Sequence, residues 1–191
     1  TVPHDKTAKL WDGKTGAPVA DLVGHDAYMT WGVFSPNSSL LLTASSDETA
    51  RVWDGKTGAL LHTLTGHTGM VSYAAFSPDG ARIITGSTDK TAKIWDSKTG
   101  KLLLSIDGGH RRAVLRVAFS PDGKRVITGA ADKFAKIWDS TTGELLVTLE
   151  GGHKRILSIT MFSRDGRLVL TAAHDKTARV WDAATGATVG A

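Results

Sequence analysis

Ile83-Ile84-Thr85-Gly86-Ser87-Thr88-Asp89-Lys90-Thr91-Ala92-Lys93-Ile94-Trp95-Asp96 is two β-prone runs joined by a polar turn, and it returns along the chain. Trp-Asp recurs at Trp11-Asp12, Trp53-Asp54, Trp95-Asp96, Trp138-Asp139 and Trp181-Asp182, at spacings of 42, 42, 43 and 43 residues. Gly-His follows the same rhythm at Gly24-His25, Gly66-His67, Gly109-His110 and Gly152-His153. An aspartate precedes each tryptophan by six residues (Asp5, Asp47, Asp89, Asp132, Asp175), and a threonine precedes each aspartate by four (Thr1, Thr43, Thr85, Thr128, Thr171). Self-similarity at this period is the mark of a repeat architecture.

Working outward from the quoted stretch, one repeat reads as four short strands. Met70 to Phe76 is apolar and β-prone. Ser77-Pro78-Asp79-Gly80 is a turn, with proline presetting φ and glycine supplying φ > 0. Ala81 to Gly86 forms the second strand, and Thr88-Asp89-Lys90 turns the chain into a third at Thr91 to Trp95. Asp96-Ser97-Lys98-Thr99-Gly100 turns it again, into a fourth at Lys101 to Ile106. The fold class is all-β. One such sheet cannot bury both faces, so it must stack on its neighbours.

Composition agrees: 191 residues, 41% hydrophobic and 22% charged, fall in the globular range. No apolar run approaches the ~18 residues of a membrane span. The N-terminus has no basic segment followed by an apolar one. Zero cysteine excludes disulfides, cysteine-ligated zinc and thiol catalysis, and a cytoplasmic setting is expected.

Gly-His, Ser-Pro-Asp-Gly, Asp-Lys-Thr-Ala-Lys and Ile-Trp-Asp, in this order and spacing, resemble the WD-repeat β-propeller family over essentially the whole chain. The near-identity of Asp89-Lys90-Thr91-Ala92-Lys93 and Asp175-Lys176-Thr177-Ala178-Arg179 is similar to amplified arrays in bacterial multidomain signalling proteins. The resemblance implies a propeller of four-stranded antiparallel blades. The chain divides into a half blade at 1–24 and repeats at 25–66, 67–109, 110–152 and 153–191, together one propeller region.

Each full repeat carries His, Thr, Asp and Trp: His25, Thr43, Asp47 and Trp53; His67, Thr85, Asp89 and Trp95; His110, Thr128, Asp132 and Trp138; His153, Thr171, Asp175 and Trp181. A hydroxyl, an imidazole and a carboxylate make a nucleophilic triad in some hydrolases. An enzyme needs one such set in a cleft, whereas this one recurs in every repeat. The resemblance implies a structural tetrad instead: Asp accepts from His, His engages the Thr hydroxyl, and Thr meets the Trp N–H. No catalytic residue, cofactor or metal is assigned. Among the seven histidines only His62 and His67 approach a zinc-ligand spacing, and they lie on opposite sides of a strand end. Gly13-Lys14-Thr15 and Gly55-Lys56-Thr57 lack the upstream glycine of a phosphate loop, having Ala8 and Ala50 there. They read as hairpin turns. Asn37-Ser38-Ser39 is this repeat's variant of Ser-Pro-Asp-Gly rather than a glycosylation site.

Function is sought where repeats differ. The resemblance implies a partner face at the Gly-His loops. There Tyr28, Met70, Ala113 and Ile156 form one set of positions, and Thr30, Ser72, Leu115 and Ser158 a second. His4, Ser46, Thr88, Ala131 and His174 form the third. After Gly-His the later repeats carry Arg111-Arg112 and Lys154-Arg155, and each holds an extra glycine, Gly108 or Gly151. Two readings of this basic rim stand: a solvated surface, or a site for an acidic peptide or a phosphate backbone. Without interleaved aromatics, specific nucleic-acid reading is not expected. Trp31 and Phe134 also break the pattern and read either as interface anchors or as packing variants between blades, the packing reading being preferred.

The expected function is a non-catalytic protein–protein interaction scaffold, with Tyr28, Met70, Leu115, Ile156, Arg111, Arg112, Lys154 and Arg155 as candidate partner contacts. Two alternatives stand beside it: the regulatory or sensor portion of a larger signalling enzyme, and an amplified or engineered array without a selected partner. Four blades and a half leave two apolar faces to cover. A fragment of a longer array, a small ring, or a homodimer completing about eight blades would each do so.

Overall fold

The computed structural model describes residues 6–190, so Thr1, His4 and Asp5 lie outside the described residues. Two strands open the chain, β1 (Thr7–Trp11) and β2 (Pro18–Val23), paired antiparallel. Four sheets of four strands follow. The first holds β3 (Met29–Phe34), β4 (Leu40–Ser45), β5 (Ala50–Asp54) and β6 (Leu60–Leu64). The second holds β7 (Val71–Phe76), β8 (Arg82–Ser87), β9 (Ala92–Asp96) and β10 (Leu102–Ile106). The third holds β11 (Val114–Phe119), β12 (Arg125–Ala130), β13 (Ala135–Asp139) and β14 (Leu145–Leu149). The fourth holds β15 (Leu157–Phe162), β16 (Leu168–Ala173), β17 (Ala178–Asp182) and β18 (Thr188–Gly190). Strand order equals chain order in every sheet, so each is a simple antiparallel meander. No helix of the described residues is long and apolar enough to cross a membrane.

Strands in the second sheet start one residue later than the sequence reading places them, because the turns hold more of the chain. Thr91 belongs to its turn: its N–H and hydroxyl both donate to Asp89 Oδ1, at 2.9 and 2.7 Å. Ala81 is likewise held, its N–H donating to Asp79 Oδ1 at 2.9 Å.

Side chains alternate across each strand, and the alternation builds the joints between sheets. Ala50 and Val52 of β5 face forward, with Leu42, Ala44 and Leu64. Trp95 of the next sheet packs back onto them, together with Val71, Ala74 and Ile83. Trp138 closes the following joint against Ile84, Ala92, Ile94 and Ile106. Trp181 does the same against Ile127, Ala135, Ile137 and Leu149. Trp53 packs with Ala8 and Leu22 of the two-stranded sheet. Each buried Val, Leu or Ile in these layers contributes roughly 1.5–3 kcal/mol, which a single sheet could not realise alone. Trp11, the equivalent of Trp53, is 45% exposed against 2%, and at the other end Ile159 and Met161 are 43% and 48% exposed.

The first strands β3, β7, β11 and β15 approach one another from sheet to sheet and form the inner edge. Here Trp31 behaves as the packing variant the sequence points to: its indole stacks on Tyr73 of the next sheet, centroids 4.1 Å apart. The guanidinium of Arg116 lies over the other partner of that row, 5.1 Å from the Tyr73 ring centroid.

A joint device that the sequence reading overlooked is arginine at the start of a second strand. Arg82 donates to Gly123 O at 2.6 Å and to Ser140 O and Oγ at 3.1 and 3.0 Å, and covers the Phe119 ring. Arg125 repeats this one sheet later, donating to Gly166 O at 2.7 Å and Ala183 O at 3.3 Å.

Candidate functional site

The loop face is organised by the four polar sets. In the second sheet Trp95 Nε1–H donates to Thr85 Oγ1 at 2.9 Å, and that oxygen meets His67 Nε2 at 2.8 Å. His67 Nδ1 meets Asp89 Oδ2 at 2.7 Å. An ionised carboxylate only accepts, so His67 carries its proton on Nδ1, and Nε2 accepts from the Thr85 hydroxyl. Donors therefore point one way, from Trp through Thr and His to Asp. The first sheet repeats the chain with Trp53–Thr43 at 2.9 Å, Thr43–His25 at 2.8 Å and His25–Asp47 at 2.7 Å. The third has Trp138–Thr128 at 2.9 Å, Thr128–His110 at 2.7 Å and His110–Asp132 at 2.9 Å. In the fourth, Trp181–Thr171 and Thr171–His153 hold at 2.7 and 2.8 Å. There His153 Nδ1 stands 3.4 Å from Asp175 and lies closer to the Thr177 hydroxyl, at 3.1 Å. This loosening occurs in the sheet whose forward face is uncovered, where Thr177 and Ala178 are exposed.

Each His and Thr in these chains is shut away from solvent, and no substrate can reach a hydroxyl already bound on both sides. Burial pushes the His25 and His67 rings below the ordinary imidazole value, and their aspartates only partly offset it. Burial alone would raise the Asp47 and Asp89 carboxyls. Hydrogen bonds from Thr49 and His25, and from Thr91 and His67, outweigh it and hold both at about 2. In three of the four repeats the glycine before the histidine lets the chain pass close to the joint: a Cβ on Gly24 would collide with the Arg51 guanidinium, one on Gly109 with the Trp138 indole and one on Gly152 with the Arg179 side chain.

The aspartates also fasten the surface positions, their Oδ2 accepting from Asp26, Thr68, Arg111 and Lys154 N–H. Two of the candidate positions in each repeat are backbone partners. Ser46 N–H donates to Tyr28 O, Thr88 to Met70 O, Ala131 to Ala113 O and His174 to Ile156 O. The Gly-His loop and the turn before the third strand thus form one surface per sheet.

On the third and fourth sheets that surface opens into a cleft of about 600 Å³. Arg111, Arg112, Lys154, Arg155 and Ile156 line it, so five of the eight candidate contacts converge. His174 and Ala131 stand beside them. Tyr28, Met70 and Leu115 lie elsewhere; Tyr28 is 60% exposed on the first sheet. Lys133, unmarked in the sequence reading, adds a fifth lysine or arginine to the walls. Its signal was faint, because Lys90 and Lys176 fill the same turn position.

Phe134 departs from the preferred of its two readings, packing between blades. Among the described residues it joins none of the four hydrophobic clusters. It lines the cleft, and also an adjoining hollow of about 380 Å³ bounded by Gly108, Gly109, Lys136 and Glu150. The inserted Gly108 makes room there: its φ is +72° and its Cβ position is empty.

Gly13-Lys14-Thr15 is a closed turn. Asp12 Oδ1 accepts from Lys14 N–H, Thr15 N–H and the Thr15 hydroxyl. His62 Nε2 bonds to Lys98 O at 2.8 Å, away from His67. Asn37 Oδ1 accepts from the hydroxyls of Ser35 and Ser39 and from Ser39 N–H, as Asp79 does for its own turn.

Compared with curated protein sequences, the chain gives no match. The family described as WD domain, G-beta repeat matches four times, at residues 16–54, 58–96, 100–139 and 143–182. Those matches cover most of the chain and agree with the meander sheets, the Trp-filled joints and the Trp–Thr–His–Asp chains, so the protein belongs to the WD40 repeat family, with a β-propeller blade in each four-stranded sheet.

Proposed function

We propose that the chain is a non-catalytic interaction scaffold that takes an acidic segment of a partner protein into the cleft between its third and fourth blades. WD40 repeats generally mediate protein–protein contacts, and the cleft's charge supports this reading of the partner. Arg111, Arg112, Lys133, Lys154 and Arg155 surround it against the one carboxylate of Asp132, which is occupied by His110 and two backbone N–H groups. None of the five cations is ion-paired among the described residues. The excess of four positive charges in this one cleft equals the formal excess of the whole chain. Like charges held together repel, and an anionic partner relieves that repulsion while being steered to the site. The cysteine-free composition supports a cytoplasmic setting.

The test is fluorescence anisotropy with a labelled oligoglutamate peptide. Wild type binds it with an affinity that falls as salt rises. Arg112→Glu plus Arg155→Glu lowers binding at least about tenfold. Equal binding by the charge-reversed protein defeats the reading.

A second reading concerns the open faces. Trp11 presents the face that other blades bury against a predecessor, and Ile159 and Met161 lie on the forward face of the last blade. Joined head to tail in a homodimer, these two surfaces would repeat an internal joint and bring four full blades from each chain into one ring of about eight, the two-stranded sheets adding partial blades. Light scattering at micromolar protein tests it: a stable particle of 20.2 kDa excludes the dimer.

A further inference from the structure

At Phe134 the third blade gives up a bond that its siblings keep. Thr49, Thr91 and Thr177 fill this position, and each donates its hydroxyl to the aspartate two residues before it at 2.6, 2.7 and 2.6 Å. Phenylalanine cannot, and Asp132 keeps only the backbone N–H of Phe134 on Oδ1. Local rules are broken chiefly at functional or strained positions. The ring is half-buried, belongs to no core cluster, and forms the wall shared by the cleft and the adjoining hollow. Ile156 and Ala131 extend the apolar surface beside it.

The site thus has two chemistries in one place: a rim of lysine and arginine, and an aromatic floor. Neither carboxylates alone nor an apolar segment alone uses both. We infer that the cleft selects a linear acidic peptide carrying an aromatic or large aliphatic side chain between its acids, with that side chain seated on Phe134 and the flanking carboxylates on Arg111, Arg112, Lys154 and Arg155. This deepens the acidic-partner reading and rests on it. The acids supply attraction at a distance, and the central side chain supplies the choice among acidic partners. Buried aromatic anchors ringed by polar contacts are the usual source of such choice. The cleft's volume of about 600 Å³ lies in the range of binding pockets.

The experiment compares two labelled heptapeptides, one with a central Phe flanked by three Glu on each side and one with Ala at the centre. A single-stranded oligonucleotide of equal charge is the third probe. Wild type binds the Phe peptide about tenfold more tightly than the Ala peptide and more tightly than the oligonucleotide. Phe134→Thr, which installs the residue of the sibling blades, brings the two peptides to equal affinity. Arg112→Glu plus Arg155→Glu abolishes binding of both. Equal binding of the two peptides by wild type overturns the inference, as does an unchanged preference in Phe134→Thr or a preference for the oligonucleotide. If charge reversal still abolishes peptide binding in those cases, the acidic-partner reading survives. If charge reversal changes nothing, that reading fails as well.

Discussion

Phe134 N–H donates to Asp132 Oδ1 at 3.1 Å, and in this blade no side-chain hydroxyl joins it there. Elsewhere the same oxygen receives both a threonine N–H and a threonine hydroxyl, as with Thr91 on Asp89. Phe134→Thr restores the missing bond. A hydrogen bond to a carboxylate in a half-buried turn contributes about 1 kcal/mol, and little apolar packing is lost. Urea unfolding should show the variant as stable as wild type or up to about 1 kcal/mol more stable. A loss above about 1 kcal/mol would place Phe134 in the packed core and remove the reason for treating it as a binding residue.

The tetrads carry a larger effect. Thr85 Oγ1 serves Trp95 Nε1 and His67 Nε2 together. Thr85→Val keeps the shape and leaves a buried indole N–H and a ring nitrogen without partners. Each such group costs about 1–3 kcal/mol, so the variant should lose about 2–6 kcal/mol in chemical denaturation. Thr85→Ser, which keeps the hydroxyl, should recover most of that. Equal losses in the two variants would assign the effect to the missing methyl.

Acid should act on the same chains in two windows. Burial holds His25 and His67 below the ordinary value of 6.5, so the folded protein stays neutral there while the unfolded chain takes up protons. Stability therefore falls as pH drops below about 6.5. Asp47 and Asp89 are held at about 2, below their ordinary 3.8. Their contribution is complete above the unfolded value and disappears as pH falls from about 4 towards 2. Thermal melts from pH 8 to pH 3 should show a decline that begins near pH 6.5 and steepens below pH 4. A flat profile between pH 7 and 5 would mean that the histidines are not kept neutral by burial.

The repeat was legible because side-chain direction is set by strand alternation and because the tetrad residues stand at fixed offsets in every unit. Trp53, Trp95, Trp138 and Trp181 were legible as members of the tetrads, whereas their packing in the joints follows only once the sheets are stacked. The cleft was half legible. Arg111-Arg112 and Lys154-Arg155 announced themselves by breaking the repeat, whereas Lys133 matches Lys90 and Lys176 and becomes special only because two other pairs of cations lie across from it. Phe134 was visible as a departure, but sequence does not say whether an aromatic ring turns into a joint or away from it. Arg82 was silent for another reason: its partners Gly123 and Ser140 are 41 and 58 residues away, and only stacking of the sheets brings them near.

That arginine permits a specific test of joint strength. Arg82 spans from the second blade to the third through two backbone carbonyls and a serine, with its plane over Phe119. Lysine brings the charge but neither the fork of donors nor the flat face. Arg82→Lys should lose about 1–2 kcal/mol, and Arg125→Lys a similar amount, since it makes the equivalent bonds to Gly166 and Ala183. Arg164→Lys, at an exposed turn position, should change stability by less than about 0.5 kcal/mol. Loss of the same size at all three would attribute the effect to exchanging arginine for lysine in general and not to the joint.

Ser38 offers the opposite sign. It occupies the place of Gly80 in the turn before the second strand, at φ +58° where Gly80 has +73°. A residue with a Cβ is strained in this left-handed region by about 1 kcal/mol, and nothing binds the Ser38 side chain in compensation. The turn's own bonds do not depend on it: Asn37 Oδ1 holds Ser35 and Ser39, and Ser38 contributes only its N–H to Ser35 O. Glycine keeps that N–H. Greater freedom of the unfolded chain offsets part of the gain, so Ser38→Gly should raise stability by about 0.3–0.8 kcal/mol, with an unchanged denaturant slope. A destabilised variant would show that chain entropy outweighs the turn strain at this position.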